Sequence, residues 1–286
     1  MPELPEVETV VRGLRGPLVG RTVRDAWIGR AKTVRHADPA AFTARIVGQR
    51  FQAVERRAKY ILLHLDHDLL VVHLKMTGRL YVSPDDAVEP ADRWVHLRLQ
   101  LDGGQQLRFS DARRFGFAAL VGAFSEVTTT LGPEPLEDAF TSSVFAERLA
   151  GTRRAIKAVL LDQTVLAGVG NIYADEALFR AGVHPWRATH TLSAAEIERL
   201  YHGVRGALSD GIDHEGSSIN WYRKPDGTRG EMQEHFAVYD RAGVPCPTCG
   251  TPIEKIRVAQ RGTHFCPVCQ PLSRELEEPE PDGQRT

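Results

Sequence analysis

The sequence predicts an α+β protein of several domains: an N-terminal antiparallel β-sandwich with a leading helix, a helical domain, and a C-terminal hairpin that carries the cysteines. Three observations predict it. Between about Thr22 and Val121, short runs of alternating apolar and polar residues follow one another with no helical stretch between them, as expected of strands that pair with their sequence neighbours. Beyond Gly132-Pro133-Glu134-Pro135, apolar residues recur at intervals of three and four, the spacing of a helix face. All four cysteines fall in two Cys-x-x-Cys pairs near the C-terminus.

A chain of 286 residues has room for two domains with separate cores. No uninterrupted apolar run is long enough to span a membrane, and no basic segment followed by an apolar one marks a secretory signal, so a cytoplasmic protein is expected. The net charge of −1 hides a local imbalance, because the stretch from Pro271 holds five acids against two bases, a net of −3. Removing it leaves −1 − (−3) = +2 for the rest, so nucleic-acid binding has to be argued from where Lys and Arg sit. The Pro- and Glu-rich tail, residues 271–286, is expected to be disordered.

The chain opens Met1-Pro2-Glu3-Leu4-Pro5-Glu6-Val7-Glu8. With Met1 removed, Pro2 exposes a secondary amine, which can attack a sugar C1′ and collapse to an iminium. An α-amino group titrates at roughly 7.7–8.0, so much of it is neutral at working pH. Pro5 fits the first position of a helix, Glu6 and Glu8 its first turn, and Val7, Val10, Val11 and Leu14 its apolar face. The helix dipole disfavours the protonated amine while the nearby carboxylates favour it. Glu3 is placed to move protons beside it.

Strands are expected at 61–65, 69–74, 80–82, 94–101 and 107–109, with a hairpin turn at Asp102-Gly103-Gly104-Gln105. Two places in this sheet draw attention. Arg56-Arg57-Ala58-Lys59-Tyr60 puts three cations before an apolar strand, either a solvated strand end or a phosphate contact. His73-Leu74-Lys75-Met76-Thr77-Gly78 and Asp111-Ala112-Arg113-Arg114-Phe115-Gly116 set a methionine and a phenylalanine beside glycines and arginines. Such side chains wedge into a base stack when exposed, although a methionine also serves as a core filler.

The linker at Gly132 divides a sandwich domain, residues 1–131, from a helical domain, residues 132–243, with helices at 145–149, 156–161, 172–179 and 193–208. The last opens with the capping box Ser193-x-x-Glu196. Leu166-Ala167-Gly168-Val169-Gly170-Asn171-Ile172-Tyr173 is a glycine-rich turn between two of them, with Asn171 expected as N-cap and its backbone amides open to a phosphate. Residues 210–243 form a long polar loop, of the kind used as a lid or binding loop.

Cys246, Cys249, Cys266 and Cys269 are separated pair from pair by sixteen residues, each pair beside a turn. That spacing fits one tetrahedral Zn²⁺, and four protein ligands leave no open position for water, so the ion is structural. The segment between the pairs reads strand–turn–strand, making residues 244–270 a zinc hairpin with Arg261 at its tip.

Pro2-Glu3-Leu4-Pro5-Glu6-Val7-Glu8-Thr9 resembles the amino terminus of the bacterial formamidopyrimidine-DNA glycosylases, also called 8-oxoguanine DNA glycosylases. The resemblance continues in order through Ala58-Lys59-Tyr60, the Met76 and Arg113/Phe115 places, the Gly168 to Tyr173 turn and the cysteines, to about Gln270. It implies a helix–two-turn–helix domain and a bifunctional glycosylase and lyase acting on oxidised purines in duplex DNA. Pro2, Glu3, Lys59 and Arg261 are then catalytic. Met76, Arg113 and Phe115 fill the gap left by a flipped nucleotide, and Asn171, with Arg153 and Arg154 shortly before it, contacts phosphates. The implied partner is damaged double-stranded DNA, bound by a monomer with no membrane association, in the cytoplasm at the nucleoid. The 216–230 loop would close over the extruded base.

Two places depart from the family pattern. Ala91-Asp92-Arg93-Trp94 stands where many members have a DNA-contacting histidine, and Asn220 where some have a lysine. Two other readings stand beside this one. Endonuclease VIII shares the architecture but prefers oxidised pyrimidines and typically begins Pro-Glu-Gly-Pro-Glu. A lesion-binding protein that does not cut would need neither Pro2 nor Lys59.

Overall fold

A computed structural model describes residues 1–85 and 92–272, so the acidic-tail reading falls almost wholly outside the described residues. The chain forms two compact units, residues 1–129 with 214–233, and residues 130–213 with the remainder.

The first unit begins with α1 (Leu4–Leu18), N-capped by Glu3 and with Pro5 one place further in than the sequence suggests. Then come β1 (Val23–Ile28), β2 (Val34–Arg35), α2 (Pro39–Ile46), β3 (Ala53–Arg57), β4 (Tyr60–His64), β5 (Leu69–His73), β6 (Gly78–Pro84), β7 (Val95–Leu101), β8 (Gln105–Asp111) and β9 (Phe117–Val121). Helix α2 interrupts the stretch that the alternation reads as strands alone: Asp38 caps it, Pro39 opens it, and only Phe42 and Ile46 are buried, too short a stripe to stand out as helical spacing. The strands make two sheets, ordered β1-β7-β8-β6 and β2-β9-β5-β4-β3. Every pairing is antiparallel except the short β2–β9 pair. The expected β7–β8 hairpin turns through Gly103 and Gly104, both at positive φ (76° and 70°), where glycine has no steric cost.

Alternation along these strands sends Ile61, Leu63, Leu70, Val72, Leu97, Leu99, Leu107 and Phe109 into one core between the sheets. The apolar stripe of α1, Val7, Val10, Val11, Leu14 and Leu18, completes that core. The helix packs on β3 and β6, an edge strand of each sheet, and so covers backbone that would otherwise offer unpaired hydrogen-bonding groups. Each of these side chains contributes roughly 1.5–3 kcal/mol by burial, and Leu14→Ala is expected to cost about 2–5 kcal/mol.

The second unit holds α3 (Ser142–Leu149), α4 (Ile156–Leu161), α5 (Asn171–Ala181), α6 (Ala194–Asp213) and the hairpin β10 (Glu254–Val258) and β11 (Arg261–Phe265). The box at the start of α6 is present: Ser193 N–H donates to Glu196 Oε2 at 2.8 Å, and Glu196 N–H returns to Ser193 Oγ at 3.3 Å. Helix α5 starts one residue early, with Gly170 as its N-cap and Asn171 already in the first turn. It ends on Gly182 at φ 67°.

The loop that the sequence places with the helices, residues 214–233, belongs instead to the first unit. Ser217 N–H donates to the Glu6 carboxylate at 2.8 Å, Tyr222 enters the sandwich core, and Pro225 lies against Gly13 so closely that an added Cβ would meet it at 2.9 Å. These contacts all run to α1, more than two hundred residues earlier, which local pattern cannot reveal.

Among the described residues, no helix is long and apolar enough to cross a membrane.

Candidate active site and metal centre

Pro2 and Glu3 are buried at the start of α1, while Met1 projects into solvent. The buried Glu6 carboxylate fixes this end of the chain. Its Oε2 accepts from Glu3 N–H at 2.8 Å and its Oε1 from Ser217 N–H at 2.8 Å. One carboxylate therefore binds the backbone beside Pro2 and the start of the 214–233 loop. The loop is closed upon itself by Gly230 N–H to Ser218 Oγ (3.0 Å), Ser218 N–H to Gln233 Oε1 (2.7 Å) and Tyr222 Oη to Glu215 O (3.1 Å). Burial, then the charge of Glu6, pushes the Tyr222 phenol far above its ordinary range. Glu6→Ala would leave two backbone donors without their acceptor, about 1–3 kcal/mol each. Faster amide hydrogen exchange confined to 214–233 and the start of α1 is the expected result.

Lys59 does not lie on a strand, so strand alternation does not set its direction. It occupies the two-residue turn between β3 and β4, after Ala58 at φ 53°, and is 5% exposed. A non-glycine residue in that region costs on the order of 1–2 kcal/mol, and Arg56 supports it. Arg56 Nη1 donates to Ala58 O at 3.2 Å and its Nε to Glu8 of α1 at 3.0 Å. The turn bearing Lys59 is thereby tied to the helix that follows Pro2-Glu3.

The turns bearing Met76 and Phe115 flank the same end of the five-stranded sheet, since Tyr60 pairs with His73 and His73 with Phe117, and they are joined by Asp111, itself buried. Its carboxylate accepts from Thr77 Oγ1, Arg113 N–H (3.2 Å) and Gly116 N–H (2.7 Å), and Thr77 Oγ1 also accepts from Arg113 N–H at 3.0 Å. Gly78 is required because a Cβ would lie 2.4 Å from Leu74 O. Held this way, Met76 is 37% and Phe115 52% exposed. Met76 is therefore no core filler. Arg113 stacks its guanidinium 4.8 Å from the Phe115 ring centroid. At the place of the missing histidine, Asp92 accepts from Tyr81 Oη, Ser110 Oγ and Trp94 N–H at 2.9, 2.9 and 3.1 Å, so that position serves the sheet itself.

His73 Nδ1 accepts from Lys75 N–H at 3.0 Å. Burial, then the charges of Lys75, Lys59 and Arg35, pushes this ring down to about 3, and burial takes His184 of the second unit down to about 4. Both stay neutral when folded at pH values where the unfolded chain is protonated. The unfolded state then binds more protons below about pH 6.5, and stability falls with pH there. The contribution is complete above about pH 6.5 and is lost as pH drops toward about 4 for His184 and about 3 for His73. Urea midpoints measured at several pH values should fall from about pH 7 to 5, the His73 share being on the order of 2 kcal/mol.

In the second unit, the turn before α5 is built by Gln163. Its Nε2 donates to Val169 O (2.8 Å) and its Oε1 accepts from Gly168 N–H (3.0 Å). Asn171 is turned toward the hairpin, Nδ2 donating to Gly262 O at 2.9 Å. Arg153 is exposed, whereas Arg154 is engaged by Asp162 through two guanidinium nitrogens at 3.0 Å. The hairpin turns through Ala259 and Gln260, at φ 46° and 58°, so Arg261 stands exposed one residue past the tip, opening β11.

Beneath β11 lies a fully buried ion pair, Lys157 Nζ to Asp175 Oδ1 at 2.6 Å. Lys157 also donates to Thr263 Oγ1 (2.7 Å), and Asp175 accepts from His264 N–H (2.9 Å). Removing one partner strands the other charge. Lys157→Met is expected to destabilise this unit by about 3–5 kcal/mol, and Lys157→Met/Asp175→Leu by less, as thermal unfolding would show.

The four cysteine sulfurs lie within 4.8 Å of one another. Cys246 and Cys269 are 3.9 Å apart and Cys249 and Cys266 3.4 Å, close to the roughly 3.8 Å edge of a tetrahedron with 2.3 Å Zn–S bonds. Thr248 N–H and Cys269 N–H point at Cys246 and Cys266 sulfurs, both at 3.4 Å. Burial, then neighbouring sulfurs, pushes the Cys269 thiol up, while hydrogen bonding from Thr251 draws Cys249 down to about 6. Thiols so crowded ionise together only around a cation, and the donor set fits one Zn²⁺.

Family models agree with this architecture along most of the chain. Residues 1–118 match the formamidopyrimidine-DNA glycosylase N-terminal domain, 131–223 its H2TH domain, and 243–272 a zinc finger found in FPG and IleRS. The formamidopyrimidine-DNA glycosylase of Symbiobacterium thermophilum is 49% identical over 276 residues, 95% of this chain and 90% of that protein. The chain belongs to the formamidopyrimidine-DNA glycosylase family. The Herpetosiphon aurantiacus member is 50% identical, covering 94% of this chain and all of that one. Among solved structures of the family, the MutM (Fpg) protein of Thermus thermophilus superposes with TM-score 0.85 at 42% identity, over 95% of this chain and all of that one. The Lactococcus lactis Fpg bound to DNA containing an abasic site gives 0.88 at 35% identity, over 94% of this chain and all of that one.

Proposed function

We propose that this protein is a bifunctional DNA glycosylase and lyase of base excision repair, excising 8-oxoguanine and formamidopyrimidines from duplex DNA as a monomer at the nucleoid. The observation that carries the reading is the shared carboxylate of Glu6, which holds the backbone at Pro2-Glu3 and the loop at Ser217 together. Nucleophile and loop are then parts of one rigid assembly. The names and DNA complexes of the relatives support the substrate class.

In this mechanism Met76, Arg113 and Phe115 enter the stack as the damaged nucleotide leaves it, Arg113 facing the orphaned cytosine. The neutral Pro2 nitrogen attacks C1′. Glu3 delivers a proton for opening of the sugar ring, and the base departs with the electron pair of its glycosidic bond. The resulting iminium acidifies the C2′ proton. Its removal expels the 3′ phosphate, and a second elimination expels the 5′ phosphate, while Lys59 and Arg261 neutralise the departing phosphates. Asn171, Arg153 and Arg154 serve as phosphate contacts, Arg154 exchanging its Asp162 partner. Zn²⁺ supplies no chemistry here; its four cysteines hold the hairpin that carries Arg261.

Incubation with an 8-oxoguanine·cytosine duplex should release the base and leave a one-nucleotide gap flanked by phosphates at both ends. Release of base without strand cleavage would refute the lyase half. Activity on thymine glycol alone would move the protein to the pyrimidine branch.

A further inference from the structure

The outer face of the five-stranded sheet carries a row of aromatic rings. Tyr60 of β4 lies opposite His73 of β5, which lies opposite Phe117 of β9. Their centroids are 4.6 Å apart for Tyr60 and His73, and 5.9 Å for His73 and Phe117. Arg35, at the end of β2, lays its guanidinium 3.7 Å from the centroid of Phe117. A planar cation stacked on a ring keeps its hydrogen-bond donors free at the edge. Lys75 approaches the same row from the turn after β5, its backbone in the left-handed region at φ 51° and its N–H on His73 Nδ1.

The charges gathered here have one sign. Burial first, and then the charges of Lys75, Lys59 and Arg35, disfavour His73 as a cation; burial first, and then Arg35, does the same to Lys75. Among the described residues neither Arg35 nor Lys75 forms an ion pair, and no carboxylate figures among the groups acting on His73 or Lys75. Cations that raise one another's cost of charging, on a rigid apolar platform, are favourable together only when an anion joins them.

We propose that Arg35 and Lys75 form a phosphate seat on this face, taking one phosphodiester of the DNA backbone beside Lys59 and Met76. The guanidinium edge offers paired N–H donors and the ammonium a point charge, and together they neutralise one backbone charge. The inference rests on the DNA-repair reading above.

The test uses the full zinc-loaded protein and a duplex carrying a tetrahydrofuran abasic analogue, with Arg35→Gln, Lys75→Gln and the double variant. Arg24→Gln, whose side chain is exposed on β1, controls for net charge. The double variant should bind about tenfold more weakly, and the slope of log K against log salt should shrink by about 0.9, one phosphate's worth. Methylphosphonate substitution, one linkage at a time, locates the contact. Wild-type protein should lose affinity at one linkage to which the double variant has become indifferent, while Arg24→Gln keeps the wild-type pattern. Wild-type affinity and slope in the double variant would overturn the seat, as would a methylphosphonate profile unchanged from wild type. If the wild-type protein itself ignored the abasic duplex, the DNA-repair reading would fail instead.

Discussion

Borohydride added to the protein on a duplex with 8-oxoguanine opposite cytosine is expected to fix a covalent protein–DNA adduct, and Pro2→Ala is expected to abolish it. The reasoning is chemical. Borohydride reduces an iminium to a stable amine, so trapping reports the bond between Pro2 nitrogen and C1′. Removing the nucleophile of a covalent mechanism costs on the order of 10³-fold or more, and in the proposed mechanism each later step passes through the same iminium. Protein that retains Met1 should behave like the variant, since its Pro2 nitrogen is an amide. Intact mass and trapping measured on one preparation would show the two fractions in step. A Pro2→Ala variant that traps at the wild-type rate would place the amine elsewhere, with Lys59 the first alternative and Lys59→Gln the variant to compare.

The second large effect is expected on removing the metal. Structural Zn²⁺ in small fingers contributes an apparent 10–16 kcal/mol or so at neutral pH, far more than the few apolar side chains beside the cysteines, Val238 and Ile253 among them, supply by burial. Chelation or Cys249→Ser should release one equivalent of zinc and open residues 243–272. The sandwich core contains no residue of the hairpin, so the first unit should keep its strands and its thermal transition. DNA affinity should fall by on the order of 100-fold as Arg261 and the support given to Asn171 by Gly262 are lost together. Hydrogen exchange would show the hairpin opening alone, and a dye assay the zinc. Full glycosylase activity after stoichiometric zinc loss would overturn this role for the hairpin.

Much of this was legible in the sequence, because the signals involved are local. Strand alternation, the change to helical spacing after Gly132, the Ser193–Glu196 box and the cysteine spacing each depend on residues a few places apart, and so does the amino-terminal motif. Turns are less legible. The pattern points to Asn171 as a cap, whereas Gly170 caps the helix and Asn171 lies inside it. Arg261 was expected at the hairpin tip, but Ala259 and Gln260 adopt the left-handed conformation that makes the turn. Nothing in the identity of alanine or glutamine announces that.

Local pattern in the chain is enough for most of the strands and helices, for the four cysteines that fit one Zn²⁺, and for the amino-terminal motif shared with the family. How these groups are held follows from packing between distant segments. Asp111 joins the Met76 and Phe115 turns across 34 residues, Glu6 reaches Ser217 across 211, and Lys157 reaches Thr263 across 106. A buried carboxylate or ammonium must find partners because leaving it unpaired costs several kcal/mol. Which partner it finds depends on how distant segments meet, and that meeting leaves no period or spacing in the chain.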